Sequence, residues 1–302
     1  MIARSRTLDR RRAIWLGAAF GAACRAPQAR AAPPAAYGAF GPSQDVVIRG
    51  YAGDAMEPFL SRDGRWLLFN NRNDPGVNTD LHCAEQIDDL NFAWRGPIIG
   101  ANGPALDAVA SMDRKGWLYF ISTRSYGRTF STLYRARFTD GRAESVELVE
   151  GVSRAKPGWV NFDAEISASG ERLYLVESWF GAKGQPQQAD ITVAERVGRT
   201  FTIRPDAGRL FDRVNASGLN YAPSTTADEL ELFFTRAPAP LGSSPPGIWR
   251  AARQSARDPF QAPQRVAAIE GFAEGSTLSP DGRGLYYHAR IGQRFAIRRV
   301  AR

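Results

Sequence analysis

The fold is decided by a short phrase whose clearest copy is STLSPDGRGLYY, at residues 276–287. A strand runs into Ser-Pro-Asp-Gly, and Asp-Gly favours a tight hairpin turn because glycine accepts a positive φ. A strand of aromatic and aliphatic residues then returns from the turn. The phrase therefore predicts a β-hairpin, and its recurrence along the chain decides the architecture.

The phrase occurs five times. The other copies are PFLSRDGRWLLF at 58–69, AVASMDRKGWLYF at 108–120, AEISASGERLYL at 164–175 and PSTTADELELFF at 223–234. Their turns are anchored at Ser61, Ser111, Ser167, Thr226 and Ser279, with spacings of 50, 56, 59 and 53 residues. Repeats of roughly 40–50 residues that hold several strands each are typical of a β-propeller.

Each hairpin is followed by a third apolar segment, such as 133–136 or 248–251, and a fourth, such as 145–149 or 262–267. Four antiparallel strands make one blade. The last repeat has only three, so the N-terminal strand at 45–50 is predicted to close the last blade and remove open sheet edges. The predicted fold is thus all-β, a five-bladed β-propeller at 45–302. A sixth blade, the alternative, would have to come from the Ala/Pro/Gly-rich segment 32–44, which is predicted to be a linker.

The phrase resembles the PD40 family of WD40-like propeller repeats, whose best-known members are TolB-type periplasmic proteins. The segments SPDGR at 279–283 and SRDGR at 61–65, each followed by its aromatic strand, carry this resemblance. It covers essentially the whole chain after the N-terminal segment, and it implies a binding or scaffold module. The chain has no room for the separate N-terminal α/β domain of TolB, so TolB's partners are not expected here.

Residues 1–31 have the pattern of a secretory signal. A basic segment precedes the apolar run 13–23, which is too short to span a bilayer, and a small-residue cleavage site lies at 29–31. Arg11 and Arg12 precede two apolar residues as in twin-arginine signals. The sequence therefore predicts a periplasmic or secreted protein. A lipoprotein anchor at Cys24 and a cytoplasmic protein with a basic N-terminus are the alternatives.

The net charge of +8 does not indicate a nucleic-acid partner. Residues 1–31 hold seven arginines and one acid, which gives +6 and leaves +2 for the rest of the chain. Nucleic-acid binding proteins concentrate their basic residues on one face. After removal of residues 1–31, Cys83 is the one remaining thiol, and its apolar surroundings predict a buried core residue. A monomer without a transmembrane segment is expected.

The residues just before each inner strand are the candidate binding site. In a propeller these strands line the central channel, and their leading ends open onto one face. The candidates are Glu57, Asp107, Asp163, Glu165, Tyr221 and Glu274. Carboxylates gathered at one channel mouth raise one another's pKa or recruit a cation such as calcium. Each could instead cap its own blade. No other cofactor is indicated, and His82 and His288 occupy different places in their blades, which argues against a shared metal site.

Two functional hypotheses follow. The first is a non-enzymatic binding module for a protein, peptide or glycan, because no serine-hydrolase elbow, zinc-ligand cluster or phosphate loop occurs. Trp94, Trp159, Trp179 and Tyr126 are further candidate contacts. The second is a hydrolase or lyase that acts on a sugar or lactone through the acidic mouth, since glycoside hydrolysis needs two carboxyl groups. Carboxylates above an open pocket would favour the enzyme, and arginine partners would favour the binding module.

Overall fold

Five β-sheets, one for each copy of the phrase, form a five-bladed propeller in the computed structural model. The structure describes residues 39–73, 78–181 and 184–302. The signal segment 1–31, the alternative anchor Cys24 and residues 32–38 of the predicted linker lie outside these ranges. Within them, no helix is both long and apolar enough to cross a membrane.

The two halves of each phrase are the inner and second strands of a blade, paired antiparallel as predicted. The inner strands of blades 1 to 5 are Met56–Leu60, Asp107–Met112, Ala164–Ile166, Leu219–Thr225 and Ala273–Leu278. The second strands are Trp66–Asn70, Trp117–Ser122, Arg172–Phe180, Glu231–Ala237 and Gly284–Ile291.

The third and fourth segments of each repeat complete the blades. The third strands are Leu81–Gln86, Leu133–Thr139, Pro186–Val197, Gly247–Ala252 and Arg294–Ala301. The outer strands are Asn91–Pro97, Arg142–Leu148, Thr200–Ile203, Gln264–Arg265 and, in blade 5, Gln44–Asp45. A short strand, Trp159–Val160, extends blade 3, and two single-turn helices, Tyr126–Thr129 and Ala207–Leu210, lie in connecting segments.

The N-terminal segment closes the ring, as predicted, but it serves two blades. Gln44 and Asp45 pair antiparallel with Arg299 and Arg298 of blade 5. The strand Val47–Arg49 then pairs in parallel with the outer strand of blade 1. This shared segment ties the last blade to the first and covers part of the outer edge of each.

Side chains hold the turn inside each phrase. The Ser61 hydroxyl donates to Asp63 and accepts the Trp66 backbone N–H at 2.9 Å. In blades 3, 4 and 5 the hydroxyls of Ser167, Thr226 and Ser279 accept the corresponding backbone N–H. In blade 2 the predicted anchor, Ser111, is wrong. Asp113 accepts the Trp117 N–H there, because a carboxylate reaches that N–H directly in the shorter turn.

The core lies between the blades. The second strands bring fully buried aromatic rings to these layers, among them Tyr119, Tyr174, Phe233 and Tyr286. Cys83 is buried in the layer between blades 1 and 2. The predicted burial of Cys83 is thus confirmed, and burial raises the pKa of its thiol to about 11, which makes the thiol a poor nucleophile.

Candidate functional site

The five inner strands surround a central channel. The space between them is about 310 Å³, including its opening to solvent, and all five blades contribute to its wall. Of this, about 30 Å³ is cavity that water molecules can occupy, so a larger ligand has room at the mouth but not inside the channel. The mouth is defined here as the leading end of the inner strands, where Glu57, Asp163, Tyr221 and Glu274 lie.

β-Bulges shape the mouth. Four inner strands carry a register shift just after their leading end. The residue at the bulge has a left-handed backbone, with φ of 49° at Glu57, 54° at Val109, 50° at Ala222 and 58° at Gly275. Bulges re-aim the neighbouring side chains of a strand. They therefore decide which side chains of each leading end reach the channel.

Glu57 occupies the bulge of blade 1 and lines the channel. Its side chain is 11% exposed, and its backbone N–H donates to Nδ1 of His288 at 3.2 Å. Burial raises the pKa of Glu57 to about 8, and the negative charges of Asp163 and Glu274 add to the increase while His288 opposes it. Glu57 is therefore a protonated carboxylic acid at neutral pH.

Glu274 faces Glu57 from blade 5 and is held by two neighbours. One carboxylate oxygen accepts a hydrogen bond from the Tyr221 hydroxyl of blade 4. The other lies 3.3 Å from Nε2 of His288, in contact but without the alignment of a good hydrogen bond. The side chain of Glu274 is 17% exposed. It is thus oriented by protein groups and still open to solvent.

His288 is the residue of this site that the sequence analysis missed. It lies on the second strand of blade 5, directly opposite Glu274. Because Nδ1 accepts the Glu57 N–H, the neutral ring carries its proton on Nε2, toward Glu274. Burial lowers the pKa of His288, but the Glu274 and Glu57 carboxylates raise it by more, so that the net direction is upward.

Asp163 completes the cluster from blade 3. Its carboxyl group is buried in the channel wall and accepts the Ala222 N–H at 3.1 Å. Burial raises its pKa well above the usual range of an aspartate, and the charge of Glu274 adds to the increase. Burial also raises the pKa of Tyr221, followed by the charges of Glu274, Asp163 and Glu57. The four predicted residues therefore share one electrostatic environment.

The other two predicted acids are paired with arginine. Asp107 is fully buried, 2.5 Å from Arg124, and also accepts the Gly103 N–H. Glu165 lies 3.2 Å from Arg62, which reaches from blade 1 to blade 3 and so crosses the channel. The Glu165–Arg62 pair narrows the channel below the mouth. Asp107 and Glu165 are therefore structural partners of arginines and stand apart from the cluster.

Aromatic rings flank the mouth on two sides. Phe162 packs against Tyr221, with 5.6 Å between ring centroids, and also against Phe180. Phe272 and Phe295 pack against His288 on the other side. Beyond Phe180, Trp179 is 40% exposed. Half-buried rings beside buried acids form a surface on which the apolar face of a sugar ring can stack.

The chemistry of the mouth is that of oxygen donors and acceptors. Within the described ranges, no three His, Cys, Asp or Glu side chains are grouped as metal ligands would be. The second histidine, His82, is remote from the mouth and stacks on Phe69 in blade 1. Burial lowers the pKa of His82 to about 4, so it is a neutral core residue.

Comparison with known proteins identifies the fold. No family model and no curated protein matches this chain. Zg3597, a family 117 glycoside hydrolase from Zobellia galactanivorans, has a TM-score of 0.55 and 10% identity over 87% of this chain and 90% of its own. The catalytic domain of the Coprinopsis cinerea GH62 α-L-arabinofuranosidase has a TM-score of 0.52 and 9% identity over 87% and 96%. TolB from Acinetobacter baumannii has a TM-score of 0.45 and 12% identity over 83% of this chain and 55% of its own.

The first two similarities extend over nearly the whole of both chains at very low identity. They show the propeller fold that the repeated phrase predicts, and they assign no activity to this chain.

Proposed function

We propose that this propeller is a glycoside hydrolase that binds a carbohydrate at the mouth and protonates the glycosidic oxygen from Glu57. The observation that carries the proposal is the place of Glu57, a channel-lining carboxyl group that is 11% exposed and has no arginine partner in the described part of the chain. Burial there raises its pKa to about 8. A general acid works best when its pKa lies near the working pH.

The arrangement supports a balanced pair of proton transfers. Glu57 gives its proton to the glycosidic oxygen as the bond to the anomeric carbon breaks. Glu274 accepts a proton from the water molecule whose oxygen forms the new bond to that carbon. Both protons then return through solvent. Tyr221 and His288 do not touch the substrate in this scheme but position Glu274.

The two groups of acids bear on the choice between the hypotheses. Arginines pair with Asp107 and Glu165, whereas Glu57, Asp163 and Glu274 lie at the mouth with no arginine in ion-pair contact among the described residues. A carboxylic acid held neutral by burial is available for proton transfer. The acidic mouth therefore favours the hydrolase over the binding module, and a glycan remains the common ligand of both.

The pH dependence of hydrolysis tests the proposal. Above a pH of about 8, kcat/KM for aryl glycosides with poor leaving groups should fall about tenfold per pH unit, because ionised Glu57 has no proton to donate. Dinitrophenyl glycosides, whose leaving group departs without protonation, should show no such fall. The measurement is a pH series with both substrate types across a panel of sugars.

Two results would contradict the proposal. One is the same alkaline fall for both kinds of leaving group, because Glu57 would then not be the proton donor of the hydrolase. The other is the absence of cleavage with any sugar of the panel while one of them raises the melting temperature. That result would identify the propeller as a glycan-binding module.

A further inference from the structure

A basic cleft opens on blade 4 at the same end as the mouth. It holds about 870 Å³, including its open side, and its wall contains Arg236, Trp249 and Arg265. Arg236, on the second strand of blade 4, lies opposite Asn220 of the inner strand. The next pair in the register is Thr235 opposite Tyr221. The cleft therefore adjoins the mouth along the strand that carries Tyr221.

Arg236 is held in place by neutral groups. Its Nε donates to the Asn220 side-chain oxygen at 2.8 Å, and Nη2 donates to the Val214 carbonyl at 2.6 Å. Its guanidinium lies over the Trp249 ring, 4.6 Å from the centroid. In the described residues no carboxylate forms an ion pair with it, and burial alone lowers its pKa. A half-buried cation fixed in this way attracts an anion.

Arg265 brings a second positive charge to the cleft. It lies on the outer strand of blade 4, is exposed, and has no carboxylate within ion-pair distance in the described part of the chain. Its guanidinium lies against Gly247, where a Cβ atom would stand 3.2 Å from Nε. The absence of a side chain at Gly247 leaves room for Arg265 beside Trp249. Two arginines and an aromatic ring thus face one open space.

We propose that this cleft binds the anionic substituent, a carboxylate or a sulfate, of a saccharide whose neighbouring residue occupies the mouth. The substrate class is then an acidic glycan. Planar guanidinium groups bind such oxyanions in a forked geometry, and Trp249 offers a face for the sugar ring. This inference rests on the proposed carbohydrate function and adds the charge of the substrate to it.

Calorimetric titration of the full chain tests the cleft. The titrants are a galacturonate trisaccharide, a sulfated galactose trisaccharide and the neutral galactose trisaccharide, and the Glu57→Gln background prevents cleavage. We expect at least one acidic sugar to bind about tenfold more tightly than the neutral one. Arg265→Gln should remove this preference without changing the affinity for the neutral sugar. The stronger of the two acidic titrants identifies the anion as carboxylate or sulfate.

Arg142→Gln is the matched control, because Arg142 is also an exposed arginine on an outer strand, in blade 2. It should leave all three affinities unchanged. Equal binding of acidic and neutral sugars, or a preference that survives Arg265→Gln, overturns the cleft but leaves the hydrolase proposal standing. The absence of binding by all three sugars overturns the acidic substrate class, and hydrolysis of a neutral glycoside would then show that the mouth works without the cleft.

Discussion

Replacing Glu57 with glutamine should abolish most of the hydrolysis and, at alkaline pH, stabilise the fold. General acid catalysis contributes about 10²–10⁴-fold to rate, so kcat/KM on poor leaving groups should fall by that factor. Glutamine has a similar shape and cannot ionise. The variant therefore removes the proton donor and the buried charge together.

The gain in stability follows from the pKa of Glu57. Its pKa is about 8 in the folded chain against an ordinary value of 4.5, so the folded state binds more protons than the unfolded state between these values. The free energy of unfolding therefore falls as the pH rises through this window. At about pH 9 the loss approaches about 3–5 kcal/mol, and Glu57→Gln should be more stable than the natural protein by that amount.

The other shifted groups of the mouth act in the same direction. Asp163 has a raised pKa and binds its proton more tightly in the folded state. His288 also has a raised pKa, so its stabilising contribution is present at low pH and is lost as the pH rises through its folded value. The natural protein should therefore be most stable at mildly acidic pH.

Denaturant unfolding at several pH values measures the effect. Glu144→Gln is the control, because Glu144 is exposed on the outer strand of blade 2. It should change neither hydrolysis nor the pH dependence of stability. If the Glu57→Gln variant is no more stable than the natural protein at alkaline pH, ionisation of Glu57 does not lower the free energy of unfolding. The assignment of Glu57 as the acid would then fail.

Gly275→Ala should damage both the fold and the mouth. Gly275 has φ of +58°, and a Cβ atom there would lie 2.6 Å from Oε2 of Glu57 and 3.1 Å from Nδ1 of His288. The left-handed backbone costs an alanine about 1–2 kcal/mol. Overpacking adds about 1–3 kcal/mol, since Glu57 and His288 must both move. The expected loss of unfolding free energy is therefore about 2–5 kcal/mol.

Gly292→Ala separates the two contributions. Gly292 also has a positive φ, +63°, but no atom lies within 4 Å of its would-be Cβ. It should lose only the backbone part, about 1–2 kcal/mol. Unfolding of the two variants by denaturant compares them directly. Equal losses would mean that Glu57 and His288 do not pack closely against Gly275.

The repeated phrase predicted the fold because each copy encodes one hairpin of one blade. Five turns at regular spacing specify five blades, and the N-terminal segment supplied the missing strand of blade 5 through Gln44 and Asp45. The sequence does not show that residues 44–45 pair with blade 5 and residues 47–49 with blade 1, because the same alternation of residues suits either pairing. The anchor of blade 2 was missed since Asp113 replaces a serine there.

The mouth was only partly predictable, because its geometry depends on bulges. Glu57 and Asp163 both lie four residues before the turn anchor of their blades, Ser61 and Ser167. Tyr221 and Glu274 both lie five before theirs, which brings them into contact. Asp107 lies six residues before its turn anchor, Asp113, and Glu165 lies two residues before Ser167. The side chains at these two positions pair with arginines instead of joining the cluster.

The sequence held no direct signal for His288. A regular hairpin with Leu278 opposite Leu285 would place Ala289 opposite Glu274, and the bulge at Gly275 shifts the pairing by one residue to His288. The arginine partners of Asp107 and Glu165 also had no signal, because Arg124 follows the end of a strand and Arg62 comes from another blade.

The most direct test of the account is the titration of Glu57 itself. NMR spectra of the protein labelled with ¹³C at the glutamate carboxyl carbon would show one resonance that disappears in Glu57→Gln. We predict that this resonance titrates with a midpoint near 8, the pKa that burial gives Glu57. A midpoint near the ordinary 4.5 would contradict the account, because Glu57 would then be ionised at neutral pH with no proton to give.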